Sequence, residues 1–515
     1  MTIEDPAEKG FLTDQPDSAG DQPPDEHRPT TLPPEPQAAV VVEEAPAGLP
    51  SADLTVLDIR PAPGRPREYR FPRFERLQLS NGLTVVHAHV PGRALLAAQL
   101  LLPGGGWTEP ATAAGVTVLT GRAMPEGTAR RDGNEFIEAA ERLGAEIHAE
   151  ATWEALSASV EVPRSRFGQA LALLAEMAFE PAFPAEEVER LRDERLNDLL
   201  QAWSDPRRRA ERVFPETVFA STTPYSRPLA GIRSTVGDLD RDAIVERHAA
   251  LLDPSAATLV VAGDLTGLAL AELAEEHLGQ RSGSGSRDGG GSLDGESDGE
   301  SAASPGGRVV LVDRPGAPQS EIRIGHLGVP RSIAGFHSIT VLNAILGGTF
   351  NSRLNRVIRE ELGYTYGIGS SFDMRRRAGP FAIRTAVETA VTVPAILEIL
   401  RIVRDFRTAD VQESELTVAR DYLVGVFPLR FESAAQVASA LAGLVVFGLP
   451  DDELDRYRPQ VAAVTAHDVL DASLRHIRPD ELSIVLVGDA AQIETPLRAA
   501  ELGELTVVAE DEGAT

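Results

Sequence analysis

The chain contains no cysteine. Disulfides, thiol catalysis, thiolate zinc sites and iron–sulfur clusters are thereby excluded. Lysine is almost as scarce: Lys9 is the only one, and every other basic residue is arginine. A lysine Schiff base or a phosphate-loop lysine in the folded body is excluded with it. No run of about 18 or more apolar residues occurs, so no transmembrane helix is expected. The first residues, MTIEDPAEKGFLTDQPDSAG, have neither a basic region nor an apolar stretch, so a cytoplasmic protein without a secretory signal is expected. Positive charge is in deficit, with 49 Lys and Arg against 78 Asp and Glu and a net charge of −29. Phosphates would be repelled, which argues against nucleic acid or an anionic membrane as the main partner.

What is present is enough apolar material for sizeable cores, 42% of 515 residues. It is unevenly spread. Residues 1–69 are rich in Pro, Asp, Glu and Ala and predict a disordered acidic tail. Residues 280–307, which include SGSGSRDGGGSLDGESDGESAASPGG, read as a flexible linker. Residues 501–515 read as a second acidic tail. These three segments carry more than half of the net negative charge.

Two bodies of similar size remain, 70–279 and 308–500. They read as one unit used twice. NGLTVVHAH from Asn81 matches GGRVVLVDR from Gly306 near the start of each body. A helix and strand ending in Gly263-Asp264 match a helix and strand ending in Gly488-Asp489. Asp240 and Thr465 stand at equivalent helix N-caps. All these anchors share one offset of about 225 residues, the signature of duplication. Helix-period patterns cover 134–143, 166–177, 186–203, 339–345 and 393–406. Strand patterns cover 94–102, 145–153, 156–162, 321–327 and 381–387. Paired strands followed by paired helices predict an α+β fold, not a doubly wound parallel sheet.

Several motifs then carry a resemblance. They are RLQLSNGLTVV from Arg76, LLPGGGWTEP from Leu101 and PYSRPLAGIRSTVGDLDRDAIVERH from Pro224. With NAILGGTFNSRLNRVIREELGYTYGIGSSF from Asn343 they make the chain similar to the insulinase/pitrilysin-type (M16) zinc peptidases over about residues 75–500. The likeness is to the bacterial, mitochondrial-processing-peptidase-like members. It implies two homologous LuxS/MPP-like domains, mixed sheets packed with helices, forming half of a clam-shell.

Active members of that family carry His-x-x-Glu-His on the helix after the GGG turn. Histidines at i and i+4 share one helical face and hold zinc, and the glutamate is the general base. Aligned on Gly115 and Gly127-Thr128, the family positions fall on Val118, Gly121 and Arg122. Valine cannot ligate, glycine has no carboxylate, and arginine is a permanent cation. Asp198 stands where the family's third ligand, a glutamate, is expected. No zinc bound by this chain is therefore expected. His87 and His89 share a strand face in His-x-His spacing, with a solvated strand face as the ordinary reading. His148 stands where the family often has an asparagine bordering substrate; a surface or polar-network role is the ordinary one.

The 343–372 motif is better preserved. In the family an arginine and a tyrosine seven residues apart reach the zinc site of a facing domain, bind substrate backbone and stabilise the developing oxyanion. The resemblance places these roles on Arg359 and Tyr366. Fixed donors of this kind are worth about 10²–10³ in rate. Alternatively Arg359 pairs with helix carboxylates and Tyr366 packs beside Tyr364, which competes for the register. Arg353 reads as structural, and Gly347-Gly348 as a tight turn. The runs Arg207–Arg209 and Arg375–Arg377 read as solvated charged faces, or as attractors of an acidic peptide or partner.

A degenerate zinc motif beside an intact Arg/Tyr pair implies a non-catalytic, substrate-binding subunit. Zinc and His-x-x-Glu-His are expected in an M16-family partner subunit, and a peptide is the expected substrate, held as an added strand on a sheet edge. The alternatives are a structural or peptide-binding scaffold without a proteolytic role, and a self-sufficient peptidase with an unorthodox metal site.

Overall fold

The computed structural model describes residue 64 and residues 67–282 and 302–509. Most of the expected N-terminal tail and linker lies outside these residues.

Twelve strands form two six-stranded sheets. The first contains β1 (Phe74–Gln78), β2 (Thr84–His89), β3 (Leu95–Pro103), β4 (Glu146–Ala151), β5 (Ala155–Pro163) and β6 (Thr258–Gly263), ordered β1-β2-β6-β3-β5-β4. The second contains β7 (Arg308–Asp313), β8 (Gln319–Leu327), β9 (Ile368–Phe372), β10 (Pro380–Glu388), β11 (Ser483–Gly488) and β12 (Glu504–Val508), ordered β12-β7-β11-β8-β10-β9. Five strands correspond one to one, and β5 and β10 begin 225 residues apart, as do β6 and β11. The predicted α+β fold and duplication are both present. Asp240 and Thr465 cap their helices as expected, accepting from the N–H groups of Ala243 and Asp468.

The outer strand differs between the halves. β1 lies antiparallel to β2, whereas β12 lies parallel to β7. This corrects the reading of a tail for residues 501–509, the remainder lying outside the described residues: Leu502, Leu505 and Val507 pack against the second core, so residues 504–508 gain enough apolar burial to pair as a strand. The ends of the other two segments also join the folded body. Tyr69 stacks on Phe431 at 6.0 Å. The backbone N–H of Ala220 donates to Ala302, and that of Ser304 donates to Val218.

Every residue of β6 and of β11 is buried, because helices cover both faces of each sheet. On the first sheet, Leu259 and Val261 face the core built with helices α1 (Val116–Ala123), α2 (Gly133–Leu143) and α3 (Phe167–Phe179). Their alternates Val260 and Ala262 face the other way, onto helix Ala434–Phe447 from the second half. The exchange is reciprocal. After α4 (Ala185–Ser204), helix α5 (Pro206–Val218) leaves the first half and covers β8 and β11 of the second. Its Phe214 and Val218 share a buried cluster with Val485 and Val487. Gly325 on β8 permits this approach, since a Cβ there would stand 2.7 Å from Phe214 Cζ.

Charge pairs follow the same exchange. Arg323 on β8, with only 2% of its side chain exposed, donates to Glu211 of α5 at 2.9 Å and to Glu321 at 2.9 Å. Arg384 reaches Glu211 as well, at 3.2 Å. No single helix among the described residues is long and apolar enough to cross a membrane.

Candidate functional site

Helix α1 is capped at its N-terminus by Gly115, whose φ of 96° places it in the left-handed region. A Cβ there would meet the backbone of Ala230 and Gly231 at 2.9 Å, so only glycine fits. The buried Glu109 carboxylate accepts from the N–H groups of Gly115 and Thr117 at 2.9 and 2.7 Å. It thereby satisfies donors that the first helical turn leaves unpaired. Val118 and Arg122 are half-buried one turn apart, and Gly121 is buried against β4 and β5, with Leu156 Cδ1 3.1 Å from where its Cβ would be.

The packing of α1 on α4 brings Arg122 and Asp198 together. The Arg122 guanidinium lies 3.8 Å from Asp198 and donates to Glu194 at 3.2 Å. Arg190 holds Glu194 from the other side, at 2.6 Å, and also reaches Glu126 at 2.9 Å. The positive charge here is therefore supplied by guanidinium groups, and the carboxylates are already paired. Burial lowers the pKa of the neighbouring Arg195, whose Nε donates to Ala230 at 3.0 Å.

These residues do not fit zinc. Two of the four positions, Val118 and Gly121, have no donor; Arg122 is a cation; and Asp198 is engaged by Arg122. No group of three or more His, Cys, Asp or Glu among the described residues could hold a metal ion. The histidines are dispersed. His87 is half-buried on β2, and His89 is exposed with Nδ1 accepting from Leu265 at 3.1 Å. His148 is exposed on β4, the edge strand of the first sheet.

In the second half, Arg359 lies on a wide π-type helical stretch, Asn355–Glu361, and Tyr366 follows it just before β9. The stretch is anchored from behind. Asn355 Nδ2 donates to Ile368 at 2.7 Å. Arg353 makes two bonds of 2.8 Å to Glu415 and stacks on Phe406. Gly347 and Gly348 allow close backbone approach, since Cβ atoms there would stand 2.6 Å from Ser370 and Asn343.

The three residues before Gly367 point differently. Tyr364 packs on the core, and Thr365 Oγ1 donates to Ala386 at 2.7 Å. Tyr366 is 94% exposed. The Arg359 guanidinium sits 4.4 Å over the ring of Phe350, itself 62% exposed. Among the described residues, no hydrogen bond or ion pair links Arg359 to Tyr366, or either of them to Arg122 or Asp198.

A second constellation, where the halves meet, was not legible in the sequence. Glu154 is buried and accepts from the Tyr225 hydroxyl at 2.6 Å and from the Arg376 N–H at 3.3 Å. The Arg375 guanidinium lies 4.5 Å over Tyr225, and that of Arg377 lies 3.9 Å over Trp107. Burial raises the Glu154 pKa above the usual carboxylate value, and the Tyr225 hydroxyl and Arg375 offset this only in part. The reading of Arg375–Arg377 as a solvated face is therefore corrected: the run is half-buried, with Arg375 and Arg377 over aromatic rings. Arg209 departs likewise, buried 3.7 Å over Trp203, while Arg207 and Arg208 are exposed.

Comparison with known proteins agrees with this geometry. Residues 84–232 match the profile of the insulinase family, peptidase family M16, and residues 238–423 match the peptidase M16 inactive domain. The chain belongs to peptidase family M16, as a member without the His-x-x-Glu-His zinc motif. An uncharacterized zinc protease of Mycobacterium bovis is 27% identical over 393 residues, 76% of this chain and 83% of that one. The non-peptidase homolog YmxG of Helicobacter pylori is 22% identical over 397 residues, covering 76% and 88%. In fold, the chain is similar to a peptidase M16 inactive domain from Pseudomonas fluorescens, with TM-score 0.72 and 21% identity over 81% of this chain and 98% of that one. It is also similar to a protease from Helicobacter pylori, with TM-score 0.76 and 16% identity over 81% and 100%.

Proposed function

We propose that the chain is the non-catalytic, substrate-binding subunit of a heterodimeric M16-type peptidase. A zinc-bearing M16 subunit is the proposed partner, with a peptide as substrate and the cytoplasm as location. The observation that carries the reading is the presentation of the pair: Tyr366 is 94% exposed beside a rigidly anchored stretch, and Arg359 is held over an exposed aromatic ring. Its own zinc positions offer no ligand set, so hydrolysis would depend on the partner's metal. Arg359 and Tyr366 would bind the substrate carbonyl and stabilise charge developing on it.

Co-expression with an M16 chain bearing His-x-x-Glu-His tests this. Chelator-sensitive peptidase activity is expected, and Arg359→Ala or Tyr366→Phe should lower kcat by about 10²-fold with the complex intact. A kcat unchanged by both substitutions overturns the role of the pair. One observation favours a second reading, a scaffold without a proteolytic role: the similarity to a relative described as a non-peptidase homolog. That reading expects a stable complex that is inactive in every mixture.

A further inference from the structure

The first half contains a basic hollow remote in character from the paired carboxylates beside Arg122. It occupies about 530 Å³ between α2, α3 and the helical turn Glu275–Gly279. That is within the range of about 300–1,000 Å³ usual for small-ligand pockets. Arg130, Arg131, Arg142, Arg281 and His277 line it, with Glu176 as the carboxylate in the wall. Ala139, Leu143 and Leu173 give it an apolar floor.

The charges in the hollow do not cancel. Glu176 is taken by Arg131, and Glu180 is shared by Arg130 and Arg281. Two carboxylates thus serve three guanidinium groups. The fourth, Arg142, pairs with Glu138 at 3.5 Å, and the two side chains are 70% and 66% exposed. Such a pair is weak. The result is a local positive excess in a chain whose net charge is −29.

Helix electrostatics accounts for part of this. Arg142 lies in the last turn of α2, and Arg281 donates to the carbonyl of His277 at 3.1 Å, both favourable at helix C-termini. Arg130 and Arg131 are not explained in this way. They immediately precede Asp132, the N-cap of α2, at the end of the dipole that disfavours cations. Arg131 is also fixed in place, because its partner Glu176 is buried and accepts from Thr128 Oγ1 at 2.5 Å.

We propose that this hollow binds a small phosphate-bearing anion. The planar donors of Arg130 and Arg142 suit the oxygens of a phosphate dianion, and the floor suits a short apolar body. The site is independent of the proposed peptidase role.

Isothermal titration of the full chain at about physiological salt tests it, with phenyl phosphate, inorganic phosphate and benzoate as probes. Saturable binding of one phosphate per chain is expected, with benzoate at least about tenfold weaker than phenyl phosphate because its carboxylate carries less charge. Tighter binding of phenyl phosphate than of inorganic phosphate assigns the site to an ester, and equal binding assigns it to the free ion; either supports the proposal. Arg130→Ala and Arg142→Ala should each weaken binding about tenfold at unchanged melting temperature, since both side chains are largely exposed, at 59% and 70%. No saturable heat up to about 10 mM phosphate, a weak affinity by any measure, overturns the proposal. So does binding that survives the double substitution.

Discussion

At the residue scale, Arg122 decides the character of the degenerate zinc-motif position. Its guanidinium supplies fixed positive charge to Glu194 and Asp198, and zinc cannot bind without displacing it. Arg122→His alone is expected to bind no zinc, because one imidazole beside Val118 does not make a ligand set. Val118→His, Gly121→Glu, Arg122→His and Asp198→Glu together are expected to bind about one zinc per chain, measured by elemental analysis after gel filtration. Failure of the fourfold variant, if it is folded, would show that the backbone of α1 and α4 has also left ligand geometry. A second residue contributes to the pH dependence of stability, in the same sense as the buried His248, whose pKa burial also lowers. His326 is buried on β8, where Nε2 accepts from the Arg478 N–H and Nδ1 lies 2.8 Å from the Leu327 carbonyl, so the neutral ring is satisfied. Burial pushes its pKa down to about 4 from 6.5. The unfolded chain therefore binds more protons between these values, and stability falls as pH drops through that window, by roughly 3 kcal/mol in full. Denaturant unfolding at several pH values should show this slope, flattened in His326→Gln. Glu154 acts in the opposite sense, since its raised pKa favours the fold at lower pH, so the comparison belongs in a Glu154→Gln background. The degenerate positions Val118, Gly121, Arg122 and Asp198 were legible because each is a change of side-chain chemistry. The pairing of Arg122 with Glu194 was not, because it depends on how α1 lies on α4.

At the element scale, the strands and long helices were readable from periodicity. Helix 134–143 became Gly133–Leu143, and strand 381–387 became Pro380–Glu388. The main departure was β12, a short strand whose alternating Leu505 and Val507 acquire meaning only beside β7. Helix α5 lies outside the helix-period patterns of the sequence. PRRRAERVFPETV reads as polar, yet it carries Phe214 into the second sheet and places Glu211 between Arg323 and Arg384. Phe214→Ala should cost about 3–5 kcal/mol. Hydrogen exchange should show the loss of protection in β8 and β11 first, with β3 and β6 less affected. Equal loss in both sheets would mean that α5 acts as part of a general core rather than as the cover of the second sheet.

At the scale of the whole molecule, the reciprocal exchange of α5 and helix Ala434–Phe447 ties the two halves together. A protease site inserted within residues 283–301 and cut in the native protein should leave two fragments that co-elute on gel filtration and separate only in denaturant. Separation under native conditions would show that the exchanged helices contribute little to the joint. The sequence by itself determined the duplication, the α+β class, the lost zinc chemistry and the Arg359/Tyr366 spacing, because periodicity, offset and side-chain type are properties of the chain in one dimension. Only the tertiary structure decided that helices cross between the halves, that Arg375 and Arg377 settle among Trp107, Trp153 and Tyr225, and that Tyr364 turns inward while Tyr366 faces solvent. Each of these depends on which distant surfaces meet and exclude water, and arginine runs or neighbouring tyrosines read the same in sequence whether that burial happens or not.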